Sequence, residues 1–188
     1  MAAPIISPLK HLRVYRRLGQ LVRYALLELK PRRHDMTIIT VGAITGAGVV
    51  TGLLFAFSNF VMQALAKLPN EQGMHAMQEI NKKIINPIFL AFFLGTPLLC
   101  AVIGMNALMN LDMERSVFSL CGSILYLVGP FGITMLFNVP LNNKLAEADV
   151  PDADAVWPDY QVRWQRWNHT RTYVGIVSIV LLASGLMG

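Results

Sequence analysis

The chain has 188 residues, 54% of them hydrophobic and 14% charged, with a mean hydropathy of +0.48 and a formal net charge of +5. That much apolar surface cannot be hidden in a soluble core of ordinary size, so the composition excludes an ordinary soluble globular domain and points to one membrane domain. Glycine-rich phosphate loops, serine nucleophile elbows and nucleic-acid modules are all missing from the sequence, so neither nucleotide chemistry nor a nucleic-acid partner is expected.

Residues 1–35 are basic, with Lys10, Arg13, Arg16, Arg17, Arg23, Lys30, Arg32 and Arg33 against only Glu28 and Asp35. Three readings fit this segment: an amphipathic helix on an anionic membrane surface, with Leu12, Leu18, Leu21, Val22 and Leu26 as its apolar stripe; an arginine-rich organelle presequence; or a contact arm on a larger membrane protein complex. The second domain, 36–188, reads as a four-span bundle.

Span one lies between Asp35 and Lys67, a stretch with no charge and longer than the roughly 20 residues that cross a bilayer. Its small-residue spacings, Gly42 with Gly46 and Gly48 with Gly52, predict close helix contact, and the second continues through Ala56 to carry Asn59 inward. A short amphipathic helix follows, with Met74, Met77, Ile80 and Ile84 at helical spacing and Gln78, Asn81 and Asn86 beside them. Spans two and three lie between Lys83 and Asp112 and between Arg115 and Lys144, and kinks are expected at Gly95-Thr96-Pro97 and Gly129-Pro130-Gly132. Cys100 and Cys121 fall on different spans at different depths, so no disulfide is expected. The acidic connection with Glu147, Asp149, Asp152 and Asp154 reads as a solvated loop, because it lacks the glycine and terminal glutamate of a calcium loop. The uncharged run after Arg171 is slightly short for span four and becomes adequate if the helix starts in the aromatic stretch from Trp157 to Trp167.

An antiparallel bundle of four spans brings the end of span one, the start of span two, the end of span three and the start of span four to one face. There lie Phe57-Ser58-Asn59-Phe60-Val61-Met62, then Asn138-Val139-Pro140-Leu141-Asn142-Asn143, then Trp164, Trp167, Asn168, His169 and Arg171. An unpaired amide in an apolar setting costs about 2–7 kcal/mol, so these groups either satisfy one another or serve a ligand. On a helix Trp164, Trp167, Asn168 and Arg171 share a face and His169 points about 100° away from Asn168. The indoles suit the wall of a flat pocket with Arg171 at its edge, although tryptophans at a span end also serve as interface anchors and asparagines as caps. None of His11, His34, His75 and His169 is paired at i,i+4, so no metal centre is expected.

Together these motifs, with Ala64-Leu65, Leu68-Pro69, Gly73, Ala76-Met77-Gln78, Ile80-Asn81 and Trp164-x-x-Trp167-Asn168-His169-x-Arg171, resemble the anthrone oxygenase-like integral membrane proteins over roughly residues 36–188. The resemblance implies O2-dependent oxidation of a flat polycyclic phenol with no cofactor, and a hydrophobic aromatic ligand drawn from the membrane lipid. It implies His169 as base, kept neutral by burial and by Arg171. Arg171, Asn138 and Asn142 would hold the phenolate and developing peroxide. Asn59, Asn81, Trp164, Trp167 and Asn168 would bind the substrate. A competing reading is a non-catalytic accessory subunit that binds partner helices, lipid, quinone or pigment. Basic residues near the span ends number nine on the side of the tail and seven on the other, which puts both termini on the cytoplasmic or matrix side of a bacterial or organelle inner membrane.

Overall fold

The computed structural model describes residues 33–111 and 114–187, and these are helical with short connections. The basic segment read over residues 1–35 lies outside the described residues except for its last three. Four helices are long and apolar enough to cross a membrane: α1 (Arg33–Leu65), α3 (Pro87–Leu108), α4 (Arg115–Ala146) and α5, which runs from Ala153 to Met187 behind a short turn of 3-10 helix at Val150–Asp152. The fourth therefore starts well before Arg171, and the aromatic stretch lies within one continuous helix. Between α1 and α3 lies α2 (Asn70–Ile84), which buries Gly73, Met74 and Met77. Asn86 caps α3 by accepting a hydrogen bond from the Phe89 amide at 3.1 Å, and Pro87 occupies the first helical position, where a missing N–H costs nothing.

Close approaches at small residues set how the long helices pair. A Cβ at Gly46 would run into the Thr96 hydroxyl, one at Gly129 into Val174, and one at Gly175 would come within 2.6 Å of the Thr51 hydroxyl. The same approach joins Gly122 to Leu182. Ala43, Ala47, Cys100, Ile103, Tyr126 and Leu182 pack into one cluster to which all four long helices contribute. The packed face of α1 runs through Ala43, Gly46, Ala47, Val50, Thr51 and Leu54. Gly48 and Gly52 lie beside that face, with open space where a side chain would go. Asn59, on the line they begin, is exposed. The expected inward course of Gly48, Gly52, Ala56 and Asn59 is thus corrected: the neighbouring row, ending at Ser58 and Met62, is the one the other helices cover.

Two stretches depart from α-helical hydrogen bonding to the wider π form: Phe57–Val61 in α1 and Leu127–Asn138 in α4. The second contains Pro130, whose ring would clash with the carbonyl four residues back in a regular helix. Pro97 in α3 is instead carried within an α-helix, next to Thr96, whose hydroxyl donates to the Phe92 carbonyl at 2.7 Å. At one end of the bundle Met62, Met74, Met77, Leu141, Leu145, Trp157, Tyr160 and Trp164 form a buried cluster. It joins the end of α1, α2, the end of α4 and the start of α5. Gln78 fastens α2 there by donating to the Leu145 and Ala148 carbonyls at 2.8 and 3.0 Å.

Candidate functional site

The face of α5 that carries Gln161, Trp164, Asn168 and Arg171 meets both π-helical stretches. Asn168 is fully buried, and its Nδ2 donates to the Leu54 carbonyl at 2.9 Å and to the Ser58 hydroxyl at 2.8 Å, which ties α5 to the π turn of α1. Its Oδ1 accepts twice from Arg171, from Nε at 3.0 Å and from Nη2 at 2.8 Å. Arg171 Nη1 donates to the Thr134 hydroxyl at 2.7 Å, and Thr134 in turn donates to the Pro130 carbonyl, so the guanidinium also rests on the π stretch of α4. Its Cζ lies over the Trp164 ring, 5.1 Å from the centroid, in a cation–π contact. Irregular helical turns of this kind recur at functional sites, where they re-aim side chains.

The electrostatics are unusual. Arg171 is only 5% exposed, and every group it bonds is neutral. The ion pairs Lys82–Glu79 at 2.7 Å and Arg163–Asp159 at 3.2 Å are exposed and involve other groups. Among the buried polar atoms of the described residues, Trp164 Nε1, Gln161 Nε2, Asn81 Nδ2 and Asn138 Oδ1 have no hydrogen-bond partner. Asn138 Nδ2 donates to the Trp164 carbonyl at 3.2 Å, which sets the Asn138 side chain against the same helix. The Tyr160 hydroxyl donates to Asn142 Oδ1 at 2.8 Å and lies within electrostatic reach of Arg171. Asn81 sits near that hydroxyl, with its Nδ2 buried. Phe57 and Tyr160 flank the Trp164 ring at centroid distances of 5.5 and 6.2 Å.

A cation, surplus donors and aromatic faces in one buried place suit a flat ligand rich in acceptor oxygens. A family model described as Anthrone oxygenase matches residues 88–181, half of the chain. The chain belongs to the anthrone oxygenase family. No curated protein and no solved structure matches it. The range that matches the anthrone oxygenase model takes in Thr134, Asn138, Asn142, Trp164, Asn168 and Arg171, whereas Ser58 and Asn81 precede it.

Of the residues expected from the sequence, Arg171, Asn138, Asn168 and Trp164 are brought together, with Asn142 joined to them through Tyr160. Asn81 has its amide nitrogen buried at the same end. Trp167 is half-buried, and one of its faces is taken by Phe137, stacked at 3.8 Å and 12°. Asn59 is exposed and outside the cluster. His169 is half-buried, not the buried residue expected, and its ring lies 6.4 Å from that of exposed Tyr173. One residue along a helix is a turn of about 100°, which takes His169 off the face that Asn168 and Arg171 share. Sequence reasoning missed Gln161, Tyr160 and Thr134. Gln161 was recoverable, since it precedes Trp164, Asn168 and Arg171 by three, seven and ten residues.

Proposed function

We propose that this chain is a cofactor-independent oxygenase that converts an anthrone-type methylene to a carbonyl with O2, in a site built around Arg171. The observation that carries the reading is a buried guanidinium whose bonded partners are all neutral. Loss of a proton from the activated methylene leaves an anion shared between carbon and the ring oxygen. That anion passes one electron to O2, and the two radicals join through a new C–O bond to give a peroxide. Loss of the second C–H proton forms the carbonyl as the O–O bond breaks, and the oxygen that leaves takes up protons to become water. Negative charge on oxygen develops at each stage, and preorganised donors in a water-poor site stabilise it most.

In this reading Arg171 holds the ring oxyanion and Asn138 and Asn142 line the oxygen-reacting side. Trp164 supplies an aromatic face, and Asn168 positions Arg171. His169, outside the cluster, serves at most as an exchange route for released protons. The pairings Gly46 with Thr96, Phe93 with Phe131, Gly129 with Val174 and Ser58 with Asn168 support four spans running antiparallel, with α2 as an amphipathic element across their polar end. A purely structural subunit has no use for a buried cation without a counter-charge, since such a group costs several kcal/mol. The test is turnover of an anthrone by the purified chain in a chelating buffer, aerobically and anaerobically. Quinone formation that needs both protein and O2 is the expected result, and formation at the rate of spontaneous oxidation contradicts the reading.

A further inference from the structure

We infer that the site takes its aromatic ligand already ionised, as a ring oxyanion, so that the ligand and no side chain supplies the counter-charge of Arg171. This rests on the site proposed above and adds the charge state in which the ligand binds. A guanidinium keeps its proton in proteins, so the positive charge is permanent. It has five N–H donors, of which three are used, two on Asn168 Oδ1 and one on Thr134 Oγ1. The Trp164 ring attenuates the charge without neutralising it.

Carboxylates on the same helix do not fill the gap. Asp159 pairs with Arg163 at 3.2 Å and is exposed, whereas Arg171 is buried. Asp154 accepts from Asn70 at 2.8 Å. The Trp164 indole, against which the guanidinium lies, has its own N–H donor Nε1 buried and unpartnered. The two unused guanidinium donors and the indole N–H beside them fit a ligand with one charged oxygen and further acceptor oxygens. The Trp164, Tyr160 and Phe57 rings fit a flat one. An enolate or phenolate of a polycyclic aromatic ketone has this character. The first proton then leaves before binding, and binding needs no base from the protein.

The test uses full-length protein in phosphatidylcholine nanodiscs and two unreactive probes, a hydroxyanthraquinone ionised at the assay pH and its O-methyl ether, with affinities read by tryptophan quenching. The ionised probe is expected to bind at least tenfold more tightly than the ether. R171Q should remove that preference while keeping the ether's affinity, R171K should retain a preference, and H169A should leave it unchanged. Equal affinities in the wild type, or a preference that survives in R171Q, overturns the inference. Displacement of the ionised probe when phosphatidylglycerol is added also overturns it and assigns the site to a lipid headgroup. Because the probes are not oxidised, a failure of binding preference is distinguishable from a failure of turnover: activity without preference leaves the oxygenase standing, and preference without activity leaves the oxyanion site.

Discussion

Asn168 does two jobs with one amide: its nitrogen holds the backbone of α1 and its oxygen holds Arg171. Asn168→Ala removes both and leaves a buried cation with one fewer acceptor. It should lower stability by about 1.5–3 kcal/mol, the range for hydrogen bonds to charged groups, as measured by thermal unfolding in detergent. An unchanged melting temperature would mean that the amide is a bystander. Thr134→Asp is the complementary change, since it offers Arg171 a carboxylate where a hydroxyl now accepts. The variant should fold at least as well as the parent and lose its preference for an ionised aromatic, because its own side chain has taken the ligand's electrostatic place. At this scale the sequence was informative wherever spacing along one helix decides: Trp164, Asn168 and Arg171 fall at intervals of four, three and seven residues. It was uninformative about Ser58 and Thr134 as partners, because their roles depend on two π turns that bring hydroxyls from other helices to α5.

The helices distinguish between glycines that look alike in the sequence. Gly46→Ala pushes a methyl into the Thr96 hydroxyl and Gly129→Ala pushes one into Val174, so each should destabilise the bundle by about 1–3 kcal/mol through overpacking. Gly48→Ala and Gly52→Ala meet open space and should be neutral or stabilising by up to roughly 1 kcal/mol, because alanine is the better helix former. Melting the four variants in parallel checks this, and equal losses at all four would contradict the face assigned to α1. Spacing alone could not choose between these faces, since both glycine pairs are four residues apart; contact with α3 and α5 chooses. The long uncharged runs, by contrast, made the first three apolar helices legible almost to their ends, because the cost of burying charge in lipid marks where they stop, whereas the fourth runs back past Arg171 to Ala153.

For the molecule as a whole, four membrane crossings by the four apolar helices would put the two ends of the chain on one side of the membrane. Reporters fused to each end should therefore give the same compartment, and opposite signals would remove one span from the account. What no reading of spans alone could supply is the reason for a cation within the bundle, which the neutral shell around Arg171 brings into view. The most direct measurement is oxygen uptake by the purified chain with an anthrone substrate and no added metal, comparing wild type, R171K, R171Q and H169A. The account predicts protein-dependent uptake that falls about 10²–10³-fold in R171Q, the scale for losing one charge-stabilising group, and far less in R171K and H169A. Uptake that is no faster than spontaneous oxidation, or that is the same in wild type and R171Q, would contradict it.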